Sequence, residues 1–257
     1  MIQGLDCVSL RVASPADAVA TYASLLGQGP LVPPGRTTLQ VANARVEFVA
    51  RNAGTDEGLA GLAFAVDDLA KAKHLLERRA MRVLLADADR PGSGPLHVAT
   101  DSTHGVPISL IEGAPKAVAT VSASGAAAVS GLDHIVIRTP DPERSVGLYA
   151  GRLGLSLRLD RSEPSWGARL LFFRCGDLVI EVAHDLKAGA GDGPDTLWGL
   201  SWRVPDIAAA HARLENAGVG VSEIRLGRRP GTKVFTVRGH TCGVPTIMVG
   251  PATSPAT

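Results

Sequence analysis

His134 stands in the stretch GLDHIVIRTPDPERSVGLY and Glu181 in DLVIEVAHD. An imidazole and a carboxylate can do two kinds of chemistry. At hydrogen-bond distance they move a proton beside a carbonyl, and around a cation they supply two ligands of a divalent metal. A catalytic transition metal usually needs about three protein ligands and an open position, so the metal reading needs another donor. His184, shortly after Glu181, and His104 and His240, beside two GVP segments, are the nearby candidates. From residue types alone three readings stand: two metal ligands, a metal-free acid/base pair, or a polar pair that only satisfies itself.

The first of these stretches is repeated. GLDCVSLRVASPADAVATY opens at Gly4, and Arg11 matches Arg138, Pro15 matches Pro142, Tyr22 matches Tyr149 and Gly27 matches Gly154 at one constant spacing. Such self-similarity marks repeated structural units. Cys7 occupies the place of His134, which marks the later copy as the one that retains a site. A second pair begins with GLAFAVDDLAKAKHLLERRAM at Gly61 and GLSWRVPDIAAAHARLENAGV at Gly199, and the tails HGVPISLIEG and CGVPTIMVGP also match. The chain therefore holds four related modules. Between its halves, APKAVATVSASGAAAVS is small and weakly patterned, as an interdomain linker is. The expected division is a domain over 1–113, a linker over 114–130, a domain over 131–251 and a tail over 252–257.

Each module reads the same way. A strand comes first, with His134, Val136 and Arg138 on one face and Ile135 and Ile137 on the other. A helix follows, with Asp141 as its cap, Pro142 in its first turn and Gly154 at its end. Strands then return, and CGD at Cys175 makes a tight turn inside ARLLFFRCGDLVIEVAHD. The unit is βαβββ, which exposes one face of a small curved sheet and must pair to bury it. The fold class is α+β, with four βαβββ modules paired into two tandem domains of curved mixed sheets.

GLDHIVIRTPDPERSVGLYAGRLG, the phrase DLVIEV and the paired GVP tails resemble the vicinal oxygen chelate superfamily, which includes glyoxalase I, bleomycin-resistance proteins, methylmalonyl-CoA epimerase and extradiol dioxygenases. The resemblance extends over nearly the whole chain as two tandem glyoxalase-like domains. It implies metal ligands on the first and last strands of paired modules. Carried over by position, these are His134 and Glu181 in the third module, Trp202 and Ile247 in the fourth, Cys7 and Glu47 in the first, and Phe64 and Ser109 in the second. No pairing of modules completes a His/Glu tetrad. His134 and Glu181 form an incomplete set for iron, manganese, nickel, zinc or cobalt, and no organic cofactor is implied. The two-histidine, one-carboxylate triad of a ring-cleaving dioxygenase loses two places to Trp202 and Ile247.

Arg138 returns to the ligand-bearing face, where it would meet a substrate carboxylate or phosphate; the alternative is a structural Arg–Asp pair involving Asp206, which can also cap a helix. Trp202 and Phe64 would stack on a planar ligand or fill the volume of a lost metal site. Phe173 joins Arg138 and Trp202 as a substrate-contacting candidate. His74 and His211 read as solvated surface residues, and Cys7 as a small buried hydrophobe. The segments LDRSEPSWGA and AGAGDGPDTLWG, flanking Trp166 and Trp198, read as ordinary connections or as lids over a cleft.

The bulk properties bound the partners. With 26 basic and 25 acidic residues the net charge is +1, which provides no field for nucleic acid. Three dispersed cysteines suit a reduced compartment, and no apolar run is long enough for a membrane span, so a cytoplasmic protein is expected. The expected function is a glyoxalase-like lyase or isomerase acting on a small oxygen-rich molecule in the C-terminal half, through His134 and Glu181 or a weakly held metal. The competing reading is a non-catalytic protein that sequesters a small molecule or antibiotic, with an extradiol dioxygenase behind it. The partner is a small-molecule substrate or ligand, and a homodimer is left open.

Overall fold

A computed structural model of the chain describes residues 1–28, 37–85, 94–113 and 125–252. Residues 114–124 of the expected linker and 253–257 of the tail lie outside the described residues.

The first module gives β1 (Ile2–Val12), α1 (Pro15–Leu26), β2 (Thr38–Val41) and β3 (Ala44–Ala50). The second gives β4 (Gly58–Val66), α2 (Leu69–Arg78), β5 (Val83–Leu85), β6 (Leu96–Val98) and β7 (Ile108–Glu112). The third gives β8 (Gly131–Arg138), α3 (Pro142–Val146), β9 (Ser156–Glu163), β10 (Ala168–Cys175) and β11 (Leu178–Asp185). The fourth gives β12 (Thr196–Arg203), α4 (Ile207–Asn216), β13 (Arg225–Leu226), β14 (Thr232–Val237) and β15 (Thr246–Pro251). The βαβββ order is thus present in full in modules two to four, and as βαββ among the described residues of module one.

The strands form two open mixed sheets, in the orders β2-β3-β1-β4-β7-β6-β5 and β13-β14-β15-β12-β8-β11-β10-β9. β12 runs parallel to β15 and β4 parallel to β7, while the hairpins are antiparallel. By packing, the chain divides into two compact units. One comprises Met1–Val8, Ala60–Lys116 and Ile135–Trp198; the other comprises Ser9–Leu59, Ala117–His134 and Gly199–Thr257. Among the described residues no helix is long and apolar enough to cross a membrane.

Local chemistry sets the element ends. Asp141 accepts hydrogen bonds from the backbone N–H groups of Glu143 and Arg144, as an N-cap does. Asp68 and Asp206 cap α2 and α4 in the same way. The third-module helix differs from expectation: after Val146 it widens into a π-helical turn over Gly147–Arg152, where the Leu153 N–H reaches the Leu148 carbonyl at 2.8 Å. Gly154, at φ 77°, then releases the chain in a left-handed conformation open to glycine. Cys175 and Leu178 close the β10–β11 hairpin around Gly176 at φ 62° and Asp177.

Strand periodicity fixes what is buried. Along β11, Leu178, Ile180, Val182 and His184 are buried, while Val179, Glu181 and Ala183 are half-buried on the other face. In the second unit the side chain of Arg213 donates to the carbonyls of Ser24, Leu25 and Ala127, fastening α4 to the end of α1 and to the segment before β8. His211 is packed rather than solvated. Its Nε2 lies 2.9 Å from the Ser222 carbonyl, and its ring meets Phe235 edge-on at 5.0 Å. Sequence polarity misplaced it because α4 turns this position toward β14.

The repeated tyrosines are both fully buried, against Phe48 for Tyr22 and Phe173 for Tyr149. The Tyr22 hydroxyl donates to the Thr241 carbonyl at 2.9 Å, whereas the Tyr149 hydroxyl has no hydrogen-bond partner among the described residues. Tyr22→Phe is therefore expected to lower the unfolding free energy by about 1 kcal/mol, and Tyr149→Phe to leave it unchanged or raise it. Urea denaturation of the two variants checks the contrast.

Candidate functional site

β8 enters from the segment that Arg213 fastens, and its first residues are held in register by Asn43. The Asn43 amide accepts from the Leu132 N–H and donates to the Leu132 carbonyl, each at 2.8 Å. That fixes Asp133 and His134, the next two residues. Neighbours on a strand start toward opposite faces, yet here the side-chain ends meet, with His134 Nδ1 2.9 Å from Asp133 Oδ2. Both are largely sheltered, at 18% and 12% side-chain exposure.

The Asp133 carboxylate is held ionised. Burial pushes its pKa up, but the His134 hydrogen bond and the guanidinium groups of Arg229 and Arg203 outweigh it, and the net shift is downward from the usual 3.8. Arg229 Nη2 is 3.4 Å from Asp133 Oδ1, and Arg203 Nε is 3.9 Å from the same atom. Arg203 is committed elsewhere too, since its Nη2 and Nε donate to the Leu132 carbonyl at 2.8 and 3.3 Å. An ionised carboxylate only accepts, so His134 Nδ1 donates to Asp133. A histidine so oriented can act as a general base whose charged form is stabilised by the carboxylate behind it.

Sequence reasoning overlooked Asp133 and Arg229. The signal for Asp133 was present, because it adjoins His134 and the GLD opening recurs at Asp6. For Arg229 there was none: it is 96 positions from Asp133, and only the turn after β13 brings it there.

Glu181 lies in the first unit, half-buried, opposite Phe172 on β10. Phe173 pairs opposite Ile180 and is fully buried against Tyr149, on the other face of the hairpin from Glu181. Trp202 and Phe64 are both fully buried, so each occupies core volume at the position where the resemblance put a ligand. The Trp202 indole N–H has no hydrogen-bond partner among the described residues. Arg138 lies over the half-exposed ring of Trp198 at 4.3 Å, a cation–π contact, while Asp206 is spent on capping α4. Cys7 is buried, and Glu47 accepts from Ser9 at 2.9 Å. Cys7, Cys175 and Cys242 are all free thiols.

Among the described residues a third metal ligand does not assemble. His184 is an odd number of residues from Glu181, which turns it to the opposite face of β11, where its Nδ1 sits 3.1 Å from the Thr139 carbonyl. His104 offers its carbonyl to the Asp195 N–H at 2.7 Å, and burial, then Arg144, lowers its imidazole pKa. Among the described residues no group of three His, Cys, Asp or Glu side chains could hold a metal ion. The donor set therefore does not fit the divalent metal that the resemblance implied.

The LDRSEPSWGA segment is the ordinary end of the β9–β10 hairpin, with Arg161 over Trp166 at 4.7 Å. The second glycine-rich segment is clamped at its end. Asp195, with a side chain at 0% exposure, accepts from Arg144 Nη2 and from the Thr139 hydroxyl, both at 2.7 Å.

Residues 133–236 match the Glyoxalase/Bleomycin resistance protein/Dioxygenase superfamily. Among solved structures, that of BphC, a halotolerant catechol dioxygenase, is 15% identical over 100% of this chain and 89% of its own, with a TM-score of 0.71. The 2,2',3-trihydroxybiphenyl 1,2-dioxygenase of Sphingomonas wittichii strain RW1 is 17% identical over 97% and 91%, with a TM-score of 0.68. A variant of 4-hydroxymandelate synthase from Streptomyces coelicolor is 13% identical over 100% and 95%, with a TM-score of 0.69. At these identities the likeness is one of fold. No curated protein matches the sequence.

The lowered Asp133 pKa has a signed consequence. Its contribution to stability is complete above the usual carboxylate value of 3.8 and disappears as pH falls through the lower folded-state value. Asp133→Asn should therefore be less stable than the parent at neutral pH, by roughly 1–3 kcal/mol, with the gap closing in acid. Chemical denaturation repeated between neutral pH and the acid limb measures it.

Proposed function

From the match of residues 133–236 to the Glyoxalase/Bleomycin resistance protein/Dioxygenase superfamily we propose that the chain is a member of it and a metal-independent lyase or isomerase of glyoxalase-like type. The observation that carries this reading is the 2.9 Å contact between His134 Nδ1 and Asp133. The substrate class is a small, oxygen-rich carbonyl compound. His134 Nε2 takes a proton from the carbon beside the carbonyl, and the released electron pair moves into an enolate. The imidazolium that results is balanced by the Asp133 carboxylate. Return of the proton to the opposite face or to a neighbouring atom completes an isomerisation, and loss of a leaving group from the enolate completes an elimination. Glu181 is kept as a candidate carboxylate. No step is routed through a metal, because the described residues offer no third donor.

The exposed Arg138–Trp198 pair supports a second reading, in which the protein binds a planar or anionic small molecule without converting it. That reading requires a stoichiometric ligand and no product.

The enzymatic reading is tested by hydrogen exchange. Incubated with a panel of small α-hydroxy and α-keto carbonyl compounds in deuterated water, the protein is expected to label the carbon beside the carbonyl of at least one. His134→Ala should lower that rate by about 10²- to 10⁴-fold, Asp133→Asn by less, and a chelator should leave it unchanged. A rate indifferent to His134, or one abolished by the chelator, sinks the proposal. Glu181→Ala in the same assay decides whether that carboxylate takes part.

A further inference from the structure

We propose that Arg229 is the anion-binding residue of the His134–Asp133 site, so that the substrate, on the acid/base reading above, carries a carboxylate or phosphate group. The two arginines beside Asp133 are not equivalent. Arg203 is held by two hydrogen bonds to the Leu132 carbonyl and is half-buried at 35% side-chain exposure. Arg229 touches Asp133 at 3.4 Å, near the limit of a hydrogen bond, and its side chain is 62% exposed. An exposed guanidinium in one long contact turns readily toward a better acceptor, and its planar fork takes a carboxylate or phosphate through two parallel bonds.

The backbone presents Arg229 at a fixed place. β13 and β14 pair as Arg225 with Val234 and Leu226 with Lys233. The Gly227 N–H reaches the Thr232 carbonyl at 2.9 Å, and the Thr232 N–H reaches the Arg229 carbonyl at 3.2 Å. The tip is therefore a hydrogen-bonded turn. Its charge is one-sided: RLGRRPGTKVFTV, from Arg225, holds Arg225, Arg228, Arg229 and Lys233 and no acidic residue, within a chain of net charge +1. The acidic group that faces Arg229 is Asp133, which keeps His134 and Arg203 as partners when Arg229 turns away. An incoming oxyanion thus meets a local positive field beside the base that would act on the same molecule.

The test measures anion binding without turnover. Inorganic phosphate and malonate are titrated by calorimetry into the full chain, into Arg229→Gln, into Arg225→Gln and into His134→Ala. Saturable binding of one anion is expected, weakened about tenfold or more by Arg229→Gln, and preserved in Arg225→Gln and His134→Ala. Preference between the probes identifies the oxyanion as phosphate or carboxylate. Absence of saturable binding of either probe overturns the proposal. So does equal weakening by Arg225→Gln and Arg229→Gln, which would mean diffuse attraction to the hairpin. Because His134→Ala is predicted to bind the anion while failing in deuterium exchange, the Arg229 assignment and the acid/base reading fail by different measurements.

Discussion

A βαβββ module has one apolar sheet face and too little helix to cover it, and most of this protein follows from that constraint. Pairing is the way such a face leaves water, so the repeat is written into the interior first. The matched positions with the strictest environment are identical: Tyr22 and Tyr149 are both fully buried against a phenylalanine. Glu57 and Asp195 stand at the same distance before the matched glycines Gly61 and Gly199, and Cys242 and His104 both lead GVP tails. Shape is conserved between copies where sheet faces demand it, while the polar groups are where the copies part.

The parting has a physical logic around the two acidic residues. Glu57 accepts the backbone N–H of Ala13 at 2.7 Å. The position matching Ala13 in the later copy is Pro140, which has no N–H to give. Asp195 is satisfied by side chains instead: Thr139, Arg144 and Ser145 stand where the earlier copy has Val12, Asp17 and Ala18. Losing one backbone donor is thus offset by three polar side chains. A buried carboxylate lacking such partners would be strongly destabilising, so these changes depend on one another. The cluster clamps the end of an exposed glycine-rich segment.

The surroundings of His134 bear on its metal and metal-free readings. Two strong ligands placed by family position suggest a metal until their surroundings are known. His134 has its Nδ1 engaged by Asp133, and Trp202 and Phe64 occupy two further ligand positions as core side chains. A carboxylate behind the imidazole is the arrangement that the proposed general base requires.

The sequence alone determined the modular repeat, the βαβββ order, the helix caps and the β10–β11 turn. Each of these rests on residues close together in the chain, where periodicity, capping and glycine conformation act locally. It also singled out His134 by contrast with Cys7. Tertiary structure alone decided that Asp133 meets the His134 Nδ1. Period two assigns Asp133 to the opposite face and says nothing of Arg203 and Arg229, which arrive from another module through strand order and a hairpin. Phe173 and Phe172 look interchangeable in sequence, and only the pairing with β11 shows that Phe173 is core and that its neighbour shares a face with Glu181. Local rules fix what each segment is; which side chains meet is set by register and by the burial of faces, and those are properties of the whole chain.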